Sequence, residues 1–414
     1  MRALLAALAA GVASAVFAEA PPGVPAAEST ELFDALETAP LIVLGTLEGR
    51  AALDARSWRA RLAVEEVLAG ALPTGQRLVI AWEELAASRP PRFADGDRLL
   101  LALEPLAAGS LWRSRVPDPR ELRLLYSPTQ QGTAFVRSPS VGSVLTLRHF
   151  LLLPQELRAG PAGQRHLLAL TAGAEQALAR SAARRLSSEP GPGELTADDA
   201  PTALRALARA DADTELAALL MIWVERRQPI ALVPALDAAL AAPGGAPATF
   251  VRARGLLGDG LPSEREAALL ASASVPHRVA AASVASAAQS ERLAKLAGAD
   301  PAPEVRVAAL RRLARLTGRA SLETLLDAFD DAEGTVRSEA ALHAAAFGAE
   351  AVPRLIEVAT RWSWPAPEPA VLALRLTGTD EARAGLTQLA DDHPDPRVRA
   401  LAGLAIGRSL GHSD

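Results

Sequence analysis

The chain has 414 residues, half of them apolar but only 4% aromatic, with a net charge of −5 and no cysteine. That length leaves room for two or three domains, and a core drawn from Leu, Val and Ala suits close-packed helices better than a large β-sandwich. The missing cysteine excludes a disulfide framework, a thiolate nucleophile, a Cys-ligated metal and a lipid-anchoring thiol, while a mildly acidic chain without a basic block excludes broad binding to nucleic acid or anionic membranes.

Residues 1–18 predict a secretory signal peptide. Arg2 supplies the positive start, Ala3 to Ala15 is an almost unbroken small-apolar run, and Val16-Phe17-Ala18 places compact residues at a cleavage site. The run is shorter than the ~20 residues a membrane span needs. Residues 19–30 follow as a Pro-rich leader, expected to be extended. The sequence therefore predicts an exported, soluble chain, periplasmic or extracellular.

Short strand-like runs come next. Leu41 to Leu47 reads as a buried strand, Trp58 to Val67 alternates apolar and charged residues, Leu78 to Trp82 follows the turn Pro73-Thr74-Gly75, and Arg98 to Leu103 follows Asp95-Gly96. Leu111 to Val116 is a candidate fifth strand, and Gln130-Gln131-Gly132 a candidate hairpin turn. Together they predict a small all-β, barrel-like domain over 31–142.

The succession Ile42-Val43-Leu44-Gly45-Thr46, then Val64-Glu65-Glu66-Val67-Leu68-Ala69-Gly70, then Asp95-Gly96-Asp97-Arg98-Leu99-Leu100-Leu101 resembles a secreted OB-fold-like barrel, similar to the inhibitory domain of tissue inhibitors of metalloproteinases. The resemblance implies a closed barrel over about Glu31 to Leu106. It does not imply zinc-protease inhibition, because that family inserts an N-terminal cysteine into the protease's zinc site.

From Gly142 the apolar period becomes helical, and residues 143–414 predict an all-α solenoid. Ser187 to Asp198 reads as a linker or long loop. Beyond Ala200, helices of ten to fifteen residues are expected near 201–211, 213–227, 229–242, 246–257, 262–272, 276–289, 290–298, 303–317, 321–331, 333–347, 350–362, 366–377, 379–392 and 395–411, separated by Pro, Gly or Asp turns. Val305-Arg306, Val336-Arg337 and Val398-Arg399 recur at offsets of 31 and 62 residues. Ala309, Ala340 and Ala402 fall in a second column, where small side chains let neighbouring helix pairs approach closely. Gly318, Gly348 and Gly378 sit where left-handed helix caps want glycine. Asp300 and Asp331 lie shortly before their Val-Arg pairs, so the turn can present a carboxylate to the arginine of its own or the next repeat. The unit around Pro367-Glu368 lacks the motif and reads as degenerate.

The segments 300–318, 331–348 and 393–411 that carry these columns resemble HEAT-like repeats of the phycobilin-lyase type. That resemblance implies a scaffold of stacked helix pairs, and a chain without cysteine gives no reason to carry over lyase activity.

Chemistry-bearing residues form no catalytic, cofactor or metal constellation in the sequence. His149, His166, His277, His343, His393 and His412 lack metal-ligand spacing, and no nucleophile elbow or phosphate loop is present. Asp391 to Asp395 reads as a turn capping the last helix. Glu65 and Glu66 are neighbours in a strand and so face opposite ways. The expected contact residues for a partner are Trp362 and Trp364, straddling Ser363 before a Pro-rich turn, with Arg306, Arg337 and Arg399 as candidates to line a groove for an acidic peptide. Structural pairing with the turn aspartates is the competing role for those arginines. The expected function is a non-enzymatic scaffold that binds a protein or peptide partner in the cell envelope. The alternatives are an inhibitor or enzyme carried on the barrel without a readable motif, or a purely structural envelope component.

Overall fold

A computed structural model describes residues 30–54, 57–72, 77–83, 93–105, 125–128, 135–188, 195–242, 245–316 and 321–407. The expected signal peptide, the Pro-rich leader apart from Thr30, the turn at Pro73, the strand at Leu111, the turn at Gln130, the cap Gly318 and His412 lie outside them. The described residues divide into two compact units, the first running to Ala241 and the second from Ala242 onward. The change from strands to helices near 142 falls inside the first unit.

In the first unit, helix α1 (Thr30–Thr38) precedes strands β1 (Leu41–Ala52), β2 (Ser57–Ala69), β3 (Arg77–Glu83), β4 (Arg98–Pro105), β5 (Leu125–Pro128) and β6 (Phe135–Arg137). Among the described residues these form a six-stranded sheet in the order β1-β2-β3-β5-β4-β6, with β1 also paired to β4. The expectation of a closed antiparallel barrel is corrected here. The sheet curls, but its β3–β5 step is parallel and holds only two residue pairs, Val79 with Leu125 and Ile80 with Tyr126. The wall therefore has a thin seam, whereas β1–β4 and β2–β3 pair over six or more residues.

Alternation along the strands fills the inside of the curl. Leu41, Val43, Leu47, Leu62, Leu78, Ile80, Trp82, Leu99, Leu101 and Leu103 share one core with Phe93. Phe93 meets Trp82 and Phe135 edge-on at 5.1 and 4.9 Å between ring centroids. Gly45 stands at a register shift between β1 and β2, and a Cβ there would lie 2.5 Å from the Ala63 carbonyl oxygen. Ile42, Leu44, Leu100 and Ala102 are buried on the opposite face, the face set by the two-residue period.

The same unit continues with α2 (Val141–Leu152), α3 (Gln155–Arg158), α4 (Pro161–Thr171), α5 (Gln176–Ser188), α6 (Ala200–Ala210), α7 (Thr214–Arg227) and α8 (Val233–Ala241). Helix α2 packs against β2, and α1 packs against α5. Phe33 of α1 stacks edge-on with Phe150 of α2 at 5.4 Å, and its N–H donates to Ser181 Oγ at 3.1 Å.

The second unit is a stack of helix hairpins: α9 (Ala248–Leu256), α10 (Ser263–Leu270), α11 (Val275–Val284), α12 (Ser290–Ala299), α13 (Pro303–Leu316), α14 (Leu322–Asp327), α15 (Gly334–Ala345), α16 (Val352–Arg361), α17 (Pro367–Thr377), α18 (Asp380–Asp392) and α19 (Pro396–Ala405). One layer runs α9, α11, α13, α15, α17, α19, each helix packed on the next, while α10, α12, α14, α16 and α18 pair back onto it. This is a helical repeat stack. Val305, Val336 and Val398, and likewise Ala309, Ala340 and Ala402, are all fully buried. Gly378 caps α17 at φ +68° and donates to the Leu374 carbonyl. At Gly255 a Cβ would come 2.2 Å from a Val284 methyl, so α9 and α11 cross in close contact.

Candidate functional site

The turns before the first-layer helices are built alike. At Ser272, Asp300, Asp331 and His393 the side chain accepts the N–H two residues on, from Ser274, Ala302, Glu333 and Asp395. The carbonyl of the same residue accepts Nη1 of the arginine six residues on: Arg278, Arg306, Arg337 and Arg399. Each turn is thus closed within its own repeat, by bonds to its own backbone.

The carboxylate goes elsewhere. Arg278 holds Asp300 in a bidentate pair at 2.8 and 3.0 Å, and Arg306 holds Asp331 at 2.7 and 2.8 Å. The spacing predicts a turn carboxylate that serves the arginine of its own or the next repeat, but each acid pairs with the arginine of the preceding repeat. The geometry requires this, since an arginine whose Nη1 is anchored on its own turn directs its Nε–Nη2 edge toward the adjacent repeat. Burial raises the proton affinity of Asp300, and the Arg278 and Ala302 hydrogen bonds overcome it, leaving its pKa below the ordinary value. Arg278 and Arg306 are correspondingly harder to deprotonate, through their hydrogen bonds to Asp300 and Asp331.

The unit read as degenerate breaks the series. Beyond its own turn carbonyls, Arg337 meets a carboxylate at Glu368, at 3.7 Å and without a bidentate pair. Arg180 and Asp213 show a related arrangement in the first unit, where Asp213 caps α7 through Leu216 N and receives both forks of Arg180 at 3.0 Å.

Further across α13 and α15, Glu339 accepts from Arg311 at 2.6 and 2.8 Å and hydrogen-bonds the His343 ring at 2.9 Å. Its burial acts to raise the pKa, but the Arg311 and His343 hydrogen bonds outweigh that and hold it at about 2. The Glu339 carboxyl is thus a fixed negative charge, suited to structure and unsuited to proton transfer near neutrality.

Of the expected contact residues, Trp364 is 37% exposed and Trp362 beside it is half-buried. The Arg397 guanidinium lies over the Trp364 ring at 4.5 Å, while Asp395 holds its fork. Arg306 is engaged on both sides by protein groups, and Arg337 and Arg399 donate to turn carbonyls. The tryptophans and the arginine series occupy different turns, but Arg397 brings the Trp364 turn against the one that Arg399 closes. Asp395, the last acid of the run from Asp391, is the N-cap of α19. Glu65 bonds Thr46 and Arg98 while Glu66 bonds Arg148 of α2, so the adjacent acids do face opposite ways. His149 and His166 come together at 6.0 Å between centroids, and burial, then His149, lowers the His166 pKa. Among the described residues, no three His, Asp or Glu are grouped to hold a metal, and no helix is long and apolar enough to cross a membrane.

The chain matches no family model and no curated protein, so the resemblances to metalloproteinase inhibitors and to phycobilin-lyase-type repeats gain no support. Among solved structures it matches the designed armadillo repeat protein YIII(Dq)4CqI, at 16% identity over 59% of this chain and 98% of that one, with a TM-score of 0.20. At that score the likeness carries no weight, and the description of the second unit as a repeat stack rests on its own helix packing.

Proposed function

We propose that the chain is an exported, non-enzymatic scaffold whose repeat stack binds a protein or peptide partner of the cell envelope, with Trp364 and its neighbour Trp362 at the contact. The observation that carries this reading is the exposure of Trp364 at a turn of a stack whose large apolar side chains are otherwise mostly buried. An aromatic ring capped by a guanidinium offers a flat apolar face with a polar edge, the composition found at binding hot spots. Pairing of the repeat arginines with neighbouring repeats supports the same reading, since it favours a platform that meets a partner without reorganising. Export is supported by the Arg2 start and the alanine-rich run that follows it.

The test is retention of envelope proteins on the immobilised mature chain, compared with Trp364→Ala. The expected result is a protein retained by the wild type and released by the variant at equal salt. Retention of nothing at both low and moderate salt, or equal retention by the variant, overturns the reading.

A further inference from the structure

Five histidines lie among the described residues, and three of them have a ring nitrogen engaged by the protein. His277 bonds the Ala246 carbonyl, His343 bonds Glu339, and His393 accepts the Asp395 N–H through Nδ1. The other two, His149 of α2 and His166 of α4, are the two that meet, with ring centroids 6.0 Å apart and planes tilted by 52°. Among the described residues neither ring has a hydrogen bond or an ion pair, so each keeps a lone pair for another partner. His149 is exposed and His166 half-buried, so the pair can be reached from solvent.

The backbones that carry the two rings are held in place. Phe150 and Leu167, the next residues along each helix, are buried, and α2 packs on α4. Arg158 of α3 donates to the Leu151 and Leu153 carbonyls at the end of α2. Gly163 brings the first turn of α4 onto α3, where a Cβ would lie 1.8 Å from the Arg158 carbonyl oxygen. The imidazole torsions, held by no hydrogen bond, can therefore turn a nitrogen of each ring toward a shared ion while the helices stay where they are.

We propose that His149 and His166 bind one Cu2+ ion between them, in a tetragonal site completed by water. The separation selects the geometry. With metal–nitrogen bonds of about 2 Å, imidazoles on opposite sides of one ion hold their centroids roughly 6 Å apart, and imidazoles at a tetrahedral angle roughly 5 Å apart. The observed 6.0 Å matches the first arrangement, which suits a square-planar or tetragonal ion better than Zn2+. The donors select the class. The chain has no cysteine, and among the described residues no carboxylate is grouped with the two rings, so the donor set is nitrogen and excludes Ca2+ and Mg2+. Of the divalent first-row ions, Cu2+ binds such donors tightest. Burial first, then His149, lowers the His166 pKa, so at neutral pH that ring has no proton for the metal to displace. Sequence spacing does not reveal the site, because its two ligands stand on different helices.

The inference is independent of the partner contact at Trp364. Cu2+ is titrated into the full mature chain, in a buffer without amine or carboxylate ligands, and followed by electron paramagnetic resonance. One equivalent is expected to bind with the hyperfine pattern of two coordinated nitrogens and to raise the melting temperature by tying α2 to α4. His149→Ala removes an exposed ring and should leave the metal-free melt unchanged. It should also weaken the first equivalent of Cu2+ at least ~10-fold and abolish the melting shift. His166→Ala should weaken binding likewise, whereas His277→Gln, whose ring bonds a backbone carbonyl, should keep both the spectrum and the shift. An unchanged spectrum in either His149→Ala or His166→Ala would place the ion elsewhere and overturn the proposal. So would the absence of a two-nitrogen signal from the wild type at one equivalent. Displacement of Cu2+ by an equal concentration of Zn2+ overturns the assignment to a tetragonal ion.

Discussion

The sheet of the first unit and the hairpin stack of the second bury apolar surface by different routes. In the sheet, Leu47, Leu62, Ile80 and Leu101 come from four strands and meet in one core around Phe93. In the stack, Ala309 and Ala340 are fully buried on helices that pack on their layer neighbours and hairpin partners, and arginine pairs such as Arg306 with Asp331 join one repeat to the next. A shared core fails as a whole, whereas a stack of neighbours fails from the damaged repeat outward. Large side chains carry the first arrangement and small ones the second, so the two should respond oppositely to changes in side-chain size.

Removing volume tests the sheet. Trp82→Ala is expected to cost about 4 kcal/mol, because it deletes a buried ring that touches Phe93. Hydrogen exchange should rise together across β1 to β4. Exchange confined to β3 would show that the thin β3–β5 seam lets one strand leave alone, and would break the contrast.

Adding volume and charge tests the stack. Ala340→Glu, in a fully buried position, should cost at least ~3 kcal/mol through overpacking and an unpaired buried carboxylate. Exchange should rise over residues 303–377 while the amides of β1 and β2 stay protected. A single melting transition that includes the strands would show that the units unfold as one.

Acid should act on the stack through Glu339. Its carboxyl is held at about 2 in the folded chain, against an ordinary value of 4.5. The stability it contributes is therefore fully present above pH 4.5 and is lost as pH falls from there toward 2, a total of about 3 kcal/mol. Glu339→Gln should flatten that part of the pH profile of the melting temperature. An unchanged profile would mean that the unfolded chain keeps Glu339 paired.

The smallest effect separates an intact rung from a broken one. Arg306→Ala should cost about 2 kcal/mol, because both partners are mostly buried and bidentate. Arg337→Ala should cost about 1 kcal/mol, since its acid, Glu368, lies 3.7 Å away. Equal losses in thermal melts would show that the carbonyl contacts, common to both arginines, supply most of the stabilisation.

Much of this architecture is readable from residue order. The helices of the stack fall close to where Pro, Gly and Asp interrupt the apolar period, and β1 to β4 fall on the runs that begin at Leu41, Trp58, Leu78 and Arg98. The features that residue order does not reveal depend on distant partners. Helix α1 is nine residues long and gains its support from Phe150 and Ser181, more than a hundred positions away. Strands β5 and β6 have four and three residues, too few for a period, and are held by β3 and β4. Spacing puts Asp331 and Arg337 in one turn but does not reveal that the carboxylate belongs to Arg306.

The forward reach of each arginine also makes the stack divisible. Cut out residues 300–330 and Arg278 meets Asp331 in place of Asp300, while Asp331 brings its own Glu333 N–H and Arg337 with it. The joint re-forms because donor and acceptor belong to different modules with matching ends. Such a chain can shorten, or lengthen by duplication, in whole units, and a deletion of those 31 residues that still melts cooperatively would show the joint to be interchangeable. An excision that ran a few residues further would remove Asp331 itself and leave Arg278 without an acid.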